Sequence, residues 1–234
     1  SCVPWSPREK RLFSHGLLWV ERIRDLKPDI LFSFYYRHLI GAPLLDIPSA
    51  GCLNLHGSLL PRYRGCAPAN WAIVNGETET GVTLHHMTPA PDAGDIVCQR
   101  SVGIAREDDG RTLNLKLAAA ASQMLDEYLP AIRAGSAPRV PQRHAEATSF
   151  RRRSPADGEI DWATPAAGIE NLVRAVTRPY PGAFTYSSSQ KVLIWKASAR
   201  QNDAGREPGT VVSLSPLEVA CGSGTLRIEF AERA

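Results

Sequence analysis

Three polar residues in the first half of the chain carry side chains that can stabilise an oxyanion or transfer a proton. Asn54 and His56 lie two residues apart in the apolar run Cys52–His56, so on a strand they point to the same side. An Asn amide can donate to an oxyanion, and a His ring can transfer a proton near neutral pH. Asp92 follows in a proline-containing turn; folded back against His56, it would raise the pKa of the imidazole. Such a set could support a tetrahedral oxyanion.

Each of these residues also has an ordinary structural explanation. Asn54 and His56 could be hydrogen-bonded polar groups of the core, and Asp92 could be a turn-forming residue. The functional alternative is a site at the carboxyl end of the strand, where open α/β sheets bind ligands. The residue types alone leave both alternatives open.

Strand and helix patterns alternate around these residues. Strands are predicted at 29–34, 52–56, 80–87 and 96–104. Helices are predicted at 16–27, 68–74 and 112–134, where apolar residues recur every three or four positions. This alternation is typical of an α/β domain, and we expect a Rossmann-like parallel sheet.

The second half of the chain has a different pattern. A Pro- and Arg-rich segment at 135–154 predicts a linker, and a helix is predicted at 165–178 with Thr164 as N-cap and Pro165 at its first position. Short strands follow at 183–186, 192–196, 210–213, 217–221 and 226–230. Short strands separated by turn residues predict a small barrel. We place a catalytic domain at 1–142, a linker at 143–156 and a second domain at 157–234.

Composition argues against several classes of protein. The formal net charge of +3 favours neither nucleic acid nor a membrane surface as a partner, and no apolar run approaches the ~20 residues of a membrane helix. The five cysteines are widely spaced without a Cys-x-x-Cys pair, which predicts neither zinc nor disulfides and fits a reducing cytoplasm. His85 and His86 are adjacent, so on a strand they face opposite sides and cannot easily share an ion. We expect no metal.

A long ordered motif resembles a known family. Asn-x-His-x-Ser-Leu-Leu-Pro at 54–61, with Gly-Val-Thr at 81–83 and Asp-x-Gly at 92–94, resembles the formyltransferases that use 10-formyltetrahydrofolate. The likeness runs from about Leu18 to Leu226. Segments similar to the formyltransferase domain of bifunctional polymyxin-resistance enzymes (ArnA type), which act on UDP-4-amino-4-deoxy-L-arabinose, lie at 34–39, 70–71, 76–81, 152–155, 179–184 and 208–211.

The resemblance implies a fold, an activity and a site. It implies a Rossmann-like formyltransferase domain, here expected to lack its first strand-helix-strand unit, followed by a small OB-like β-barrel domain. It implies formyl transfer from 10-formyltetrahydrofolate to the amine of an amino-sugar nucleotide, without a metal, and leaves open a fused dehydrogenase/decarboxylase domain in the parent protein. The implied catalytic residues are Asn54, His56 and Asp92. The implied folate-binding residues are His38, Leu39, Ile40, Thr88, Pro89, Ala90, Pro91 and Asp92.

Several alternatives stay open. The site could serve a methionyl-tRNA formyltransferase or a hydrolase that releases formate from the same donor, and the chain could also be a non-catalytic fragment that binds partners through a sheet edge. Cys66 stands where the ArnA-type pattern has an Arg that contacts a ligand, and a Cys supplies no guanidinium. The basic run Arg151–Arg153 could bind phosphate or simply face solvent. Residues 38–40 could merely pack beside a strand.

Overall fold

The computed structural model describes residues 17–36, 38–202 and 205–234. These residues form two compact units that are interleaved along the chain. The first contains the described residues up to Gly65 together with Gly81–Ser101 and Ala119–Ser149, and the second contains Cys66–Thr80, Val102–Ala118 and the described part of Phe150–Ala234. The domain bounds placed at 142 and 157 stay a prediction.

The part of the chain before residue 134 alternates between strands and helices, as predicted. Its elements are α1 (Leu17–Asp25), β1 (Leu31–Phe34), α2 (Ala42–Leu45), β2 (Cys52–His56), β3 (Arg64–Gly65), α3 (Pro68–Val74), β4 (Glu79–His86), β5 (Ile96–Gly103) and α4 (Gly110–Arg133). The start of the first helix, predicted at residue 16, lies outside the described residues. The larger strands form one sheet in the order β1-β2-β4-β5.

This sheet is mixed rather than parallel. Strand β1 runs parallel to β2, with Leu31 opposite Cys52, but β4 runs antiparallel to β2. The Rossmann-like α/β class is confirmed, whereas the expectation of a parallel sheet throughout is wrong at β4. Strand-helix-strand alternation predicts how many elements there are, but the direction of each strand is decided by long-range pairing.

Burial explains why these strands form. In β2 the apolar side chains of Leu53 and Leu55 are buried, and β4 is buried continuously from Thr80 to His85. A run of that kind is typical of a strand covered on both faces. Strand β2 therefore holds His56 in the interior of the first unit, with Asn54 half-buried beside it.

The remainder of the chain contains one helix and a second sheet. Its elements are a 3₁₀ turn (His144–Glu146), β6 (Ser149–Phe150), a 3₁₀ turn (Pro155–Gly158), α5 (Ala166–Val176), β7 (Ala183–Ser187), β8 (Gln190–Arg200), β9 (Val211–Leu214), β10 (Leu217–Ala220) and β11 (Thr225–Arg233). The predicted linker at 143–156 is thus partly structured. The helix begins one residue late, because Pro165 is its N-cap and Thr164 precedes the cap.

Strands β7 to β11 form a five-stranded antiparallel sheet in the order β7-β8-β11-β10-β9. Helix α5 packs against this sheet, and Ile169, Val173, Ile194 and Leu226 are buried there. The antiparallel β structure expected in this part of the chain is confirmed, with β8 and β11 longer than predicted. Closure of the sheet into a small OB-like barrel stays a prediction. Across the described ranges, no helix combines the length and apolar character that crossing a bilayer requires.

Candidate active site

The structure brings Asp92 against His56. The distance from His56 Nδ1 to Asp92 Oδ1 is 3.5 Å, and both side chains are largely buried. Asn54 reaches the same carboxylate indirectly, since its Nδ2 lies 3.2 Å from His85 Nε2, and His85 Nε2 lies 3.6 Å from Asp92 Oδ1. Asn54, His85, Asp92 and His56 therefore form one buried polar chain, which we call the Asp92 cluster.

The antiparallel pairing of β2 and β4 supplies the fourth member. In that register Asn54 lies directly opposite His85, and His56 lies opposite Thr83. Directly opposed residues of two strands point to the same face of the sheet. His85 therefore joins the face that already carries Asn54 and His56. Sequence reasoning missed His85 because it considered this residue only as a metal ligand, within a sheet assumed to be parallel.

The loop after β4 must fold back to deliver Asp92. It starts at the far end of β2, where the Met87 N–H donates to the Cys52 carbonyl. Gly94 then passes so close to β4 that a Cβ there would lie 2.0 Å from the His86 carbonyl oxygen. No other residue fits this approach. The Asp-x-Gly pattern is thus needed sterically for the return of the loop.

Backbone conformation and one hydrogen bond hold the Asp92 carboxylate in place. Asp92 has φ +53, in the left-handed region that Asp tolerates better than most residues. The Gly65 N–H, on the short strand β3, donates to Asp92 Oδ2 at 2.8 Å. One carboxylate oxygen is therefore held by backbone, and the other faces the two imidazoles.

His56 has an acceptor beside each ring nitrogen. Its Nε2 lies 2.7 Å from the Tyr63 carbonyl oxygen, which can only accept, so Nε2 carries a proton. Nδ1 faces Asp92. A neutral ring is therefore ready to take a second proton at Nδ1, and the resulting imidazolium would donate to Asp92.

The net pKa of His56 differs from the sequence expectation. Burial lowers it, and although the Asp92 charge raises it as predicted, burial prevails and the net shift is downward. The neutral ring is thus the resting form near neutral pH, and Asp92 favours the protonated form once a proton arrives. This behaviour suits a proton acceptor more than a permanent cation.

Asp92 remains ionised despite its surroundings. Burial raises the pKa of its carboxyl, but the neighbouring imidazoles of His85 and His56 and the Gly65 N–H lower it by more than burial raises it, so the net pKa lies below the ordinary value. A fixed negative charge inside the unit is therefore available to both imidazoles.

His85 also has a defined tautomer. Its Nδ1 lies 2.8 Å from the His86 carbonyl oxygen, so Nδ1 is the protonated nitrogen. In the neutral ring Nε2 then accepts a hydrogen bond from the Asn54 amide. This contact uses one of the two hydrogens of that amide.

The residues predicted to bind folate lie on two segments of the first unit. His38, Leu39 and Ile40 follow β1, and Leu39 is strongly exposed beside the exposed Phe34, Tyr35 and Tyr36. Residues 88–91 belong to the loop that delivers Asp92, and there Thr88 Oγ1 donates to the Ala90 carbonyl. Both segments expose surface to a ligand, but their role in binding stays a prediction.

Other candidate residues have different surroundings. Cys66 is exposed. Arg151 pairs with Asp157, and Arg153 lies 4.5 Å from the Trp71 ring centroid and donates to the Asp157 carbonyl. These contacts support a structural role for the basic run. Within the described ranges, no cluster of three or more His, Cys, Asp or Glu residues could hold a metal ion.

Family models match both parts of the chain. Residues 11–129 match the model described as formyl transferase, and residues 152–234 match the formyl transferase C-terminal domain. The first match alone covers more than half of the sequence.

Three solved structures illustrate the likeness of fold. HypX from Aquifex aeolicus with tetrahydrofolic acid has a TM-score of 0.70 at 19% identity, over 98% of this chain and 43% of that one. An N-formyltransferase from Helicobacter canadensis with folinic acid and dTDP-3-aminofucose scores 0.69 at 20% identity, over 87% of this chain and 73% of that one. Methionyl-tRNA formyltransferase from Clostridium thermocellum scores 0.64 at 20% identity, over 79% and 78%. The chain spans about two fifths of the length of the HypX chains it matches.

Proposed function

Because the chain belongs to the formyl transferase family, we propose that it transfers a formyl group from 10-formyltetrahydrofolate to the amine of an amino-sugar nucleotide. The observation that carries the proposal is the buried Asp92–His56 pair, with Asn54 joined to it through His85. Acyl transfer between amines requires a proton acceptor and a hydrogen-bond donor for the oxyanion. A neutral histidine beside a carboxylate can supply the first, and the Asn54 amide can supply the second.

The reaction balances without an oxidant or a metal. The amine nitrogen forms a bond to the formyl carbon, the bond from that carbon to the folate nitrogen breaks, the amine loses one proton and the folate nitrogen gains one. Asn54 would donate the remaining hydrogen of its amide to the oxyanion of the tetrahedral intermediate. His56 would accept the amine proton at Nδ1, and Asp92 would stabilise the imidazolium until the proton is passed on.

The proposed folate surface is apolar and exposed. Phe34, Tyr35 and Leu39 present large side chains near the end of β1, and a flat aromatic ligand can pack on such side chains. The loop at 88–91 would contribute the other side of this surface. HypX and the Helicobacter canadensis enzyme were solved in complex with tetrahydrofolic acid and folinic acid, which supports a folate donor here.

The acceptor is the more specific part of the proposal. The ArnA-type motifs favour UDP-4-amino-4-deoxy-L-arabinose, hence a cytoplasmic step of lipid A modification and polymyxin resistance. The dTDP-3-aminofucose in the Helicobacter canadensis structure supports the wider class of amino-sugar nucleotides.

A panel of amino-sugar nucleotides tests the acceptor. The full-length protein would be incubated with 10-formyltetrahydrofolate and each nucleotide, and products would be identified by mass spectrometry as a gain of one formyl group. We expect formylation of at least one nucleotide. Formate release without any amine would instead indicate the hydrolase, and no turnover of the donor would contradict catalysis.

A second candidate is tRNA formylation. The likeness to methionyl-tRNA formyltransferase favours it, while the net charge of only +3 argues against a broad basic surface. Phosphate-dominated binding weakens steeply with salt. A salt-dependent shift of initiator tRNA, together with formylated methionyl-tRNA, would support this candidate over the sugar nucleotide.

The Cys66 position tests the ArnA-type acceptor directly. A regained guanidinium in Cys66→Arg could form a bidentate contact with an anionic group and strengthen binding by about 1.5–3 kcal/mol. We expect a lower KM for the UDP-sugar, measured by steady-state kinetics, with Cys66→Lys as the control that restores charge without the planar fork. Unchanged affinity for both folate and UDP-sugar would mean either that Cys66 is a neutral change or that the site is built for another ligand.

A further inference from the structure

Gln142 is a buried amide in the segment that sequence reasoning assigned to the end of the catalytic domain. Only 6% of its surface is exposed. Its Nε2 donates to the Asp92 carbonyl at 2.9 Å and to the Gly94 carbonyl at 2.6 Å. Its Oε1 accepts from Arg64 Nε at 3.2 Å and from Arg64 Nη2 at 2.6 Å. Both hydrogens and both lone pairs of the amide are therefore used.

We propose that Gln142 is a positioning residue for Asp92, because it ties the Asp92 loop to the strand that holds the Asp92 carboxylate. Arg64 directly precedes Gly65, whose N–H donates to Asp92 Oδ2. Gln142 thus connects the backbone of Asp92 with the chain segment that holds its side chain. This inference rests on the proposed function for its effect on rate.

Two backbone carbonyl groups of the loop accept their hydrogen bonds from Gln142, which lies outside the loop. Asp92 lies in the left-handed region, and its carbonyl and that of Gly94 converge on one point, the Gln142 Nε2. Without a donor there, two carbonyl groups would lose their partner, and a buried group without a partner is costly. A small rearrangement of the loop would restore hydrogen bonds and would move the carboxylate.

Movement of the carboxylate changes the chemistry at His56. Asp92 raises the pKa of His56 against the effect of burial, and this contribution weakens as the two groups separate. Loss of Gln142 should therefore shift the His56 titration to lower pH. A residue with a purely structural role would lower thermal stability without shifting that titration.

The decisive variant is Gln142→Glu in the full-length protein. It retains an acceptor for Arg64 and removes the two donors to Asp92 and Gly94. We expect kcat to fall about 10²-fold, the loss that a displacement of about 1 Å can cause, with the KM values for folate donor and amine nearly unchanged. Gln99→Glu is the matched control, since Gln99 Nε2 also bridges two acceptors, the Leu60 carbonyl and Thr83 Oγ1, without contacting Asp92.

A second variant allows the test to be made if the first does not fold. A second measurement, the titration of His56, does not depend on the proposed reaction. Gln142→Met keeps the length and volume and introduces no charge, so it tests the same loss if Gln142→Glu does not fold. NMR titration of the His56 ring in Gln142→Met should show a downward shift, as in Asp92→Asn, whereas the added carboxylate of Gln142→Glu would itself tend to raise the pKa of His56. An unchanged kcat and an unchanged His56 titration in folded Gln142→Met would overturn the proposal. If the wild type transfers no formyl group, the proposed function fails while the titration still decides the role of Gln142.

Discussion

Asp92 in the first unit and Asp108 in the second are two largely buried carboxylates. They are alike in side-chain exposure and in the direction of their pKa shifts. Their side chains are 14% and 7% exposed. In each, burial raises the pKa of the carboxyl, but specific partners lower it by more than burial raises it. Both pKa values therefore lie below the ordinary range. Burial and the direction of the pKa shift therefore do not distinguish a functional carboxylate from a structural one.

The partners of the two carboxylates do distinguish them. Asp108 accepts from Lys116 Nζ at 2.5 Å, from the Ala105 N–H at 2.7 Å and from Thr112 Oγ1 at 3.1 Å. These partners are an ammonium group, a backbone N–H and a hydroxyl, and all three act as hydrogen-bond donors to the carboxylate. Asp108 precedes helix α4 and fixes the start of that helix, which is a structural role.

Asp92 instead faces two imidazole rings, and one of them, His56, is the proposed proton acceptor. Both His56 and His85 lie within 3.6 Å of one carboxylate oxygen. A carboxylate beside a histidine can stabilise the charge that forms when the histidine accepts a proton during a reaction. A carboxylate held only by structural hydrogen-bond donors has no such role. The nature of the partners, rather than burial, is therefore the reason for proposing Asp92 and not Asp108 as the catalytic carboxylate.

Replacing Asp92 by Asn gives the sharpest contrast with Asp108. Asp92→Asn keeps size and removes the charge, so proton transfer loses its support and kcat should fall about 10²–10⁴-fold. The His56 pKa should also fall, because Asp92 raises it, and the corresponding limb of the pH–rate profile should move to lower pH. Asp108→Asn is the control and should leave both quantities unchanged. Wild-type rate and pH profile in Asp92→Asn would make Asp92 a turn residue only.

The next largest effect should follow from removing the amide of Asn54. Asn54→Ala should lower kcat about 10²–10³-fold if the amide donates to an oxyanion, with little change in substrate KM, as measured in steady-state assays. Asn114→Ala is the control, because the Asn114 amide is likewise engaged in hydrogen bonds, to the Gly110 carbonyl and to the Tyr180 hydroxyl. Equal losses in both variants would argue for a general effect on the fold.

Asp108 should matter for stability instead. Asp108→Asn leaves Lys116 and the Ala105 N–H without an anionic acceptor, and we expect a loss of about 1–3 kcal/mol in the free energy of unfolding. Urea denaturation followed by circular dichroism would measure it. A large loss of transfer in a folded Asp108→Asn protein would remove the contrast between the two carboxylates.

The smallest expected effect is the pH dependence of stability from His56. Its folded pKa lies below the unfolded value of 6.5 because of burial, so the unfolded chain binds more protons between the two values. Stability is therefore fully present above about pH 6.5 and declines as pH falls toward the folded pKa, by about 1.4 kcal/mol per unit of difference. Asp92, with its lowered pKa, contributes to such a decline only in more acidic solution.

Urea denaturation at pH 7.5 and pH 5.5 would show whether the free energy of unfolding declines as the pH falls. His56→Asn should show a smaller decline than the wild type. His86→Gln is the comparison variant, since burial also lowers the pKa of His86 and it should contribute in the same direction. A wild-type protein that becomes more stable as the pH falls through this window would contradict the assignment.

The sequence by itself determined the short-range features of this protein. Period-two spacing placed Asn54 and His56 on one face of a strand, and helix α3 has its predicted bounds, Pro68–Val74. The alternation of elements and the ordered motif predicted the α/β class and the family. These features depend on neighbours within a few positions, or on one unbroken pattern. They can therefore be predicted without knowledge of the fold.

The tertiary structure alone decided the rest of the Asp92 cluster. The antiparallel direction of β4 placed His85 opposite Asn54, and the return of a distant segment placed Gln142 beneath the Asp92 loop. Burial reversed the expected shift of the His56 pKa. Strand direction, long-range hydrogen bonds and desolvation all depend on which distant parts of the chain meet, and local patterns of residues do not contain that information.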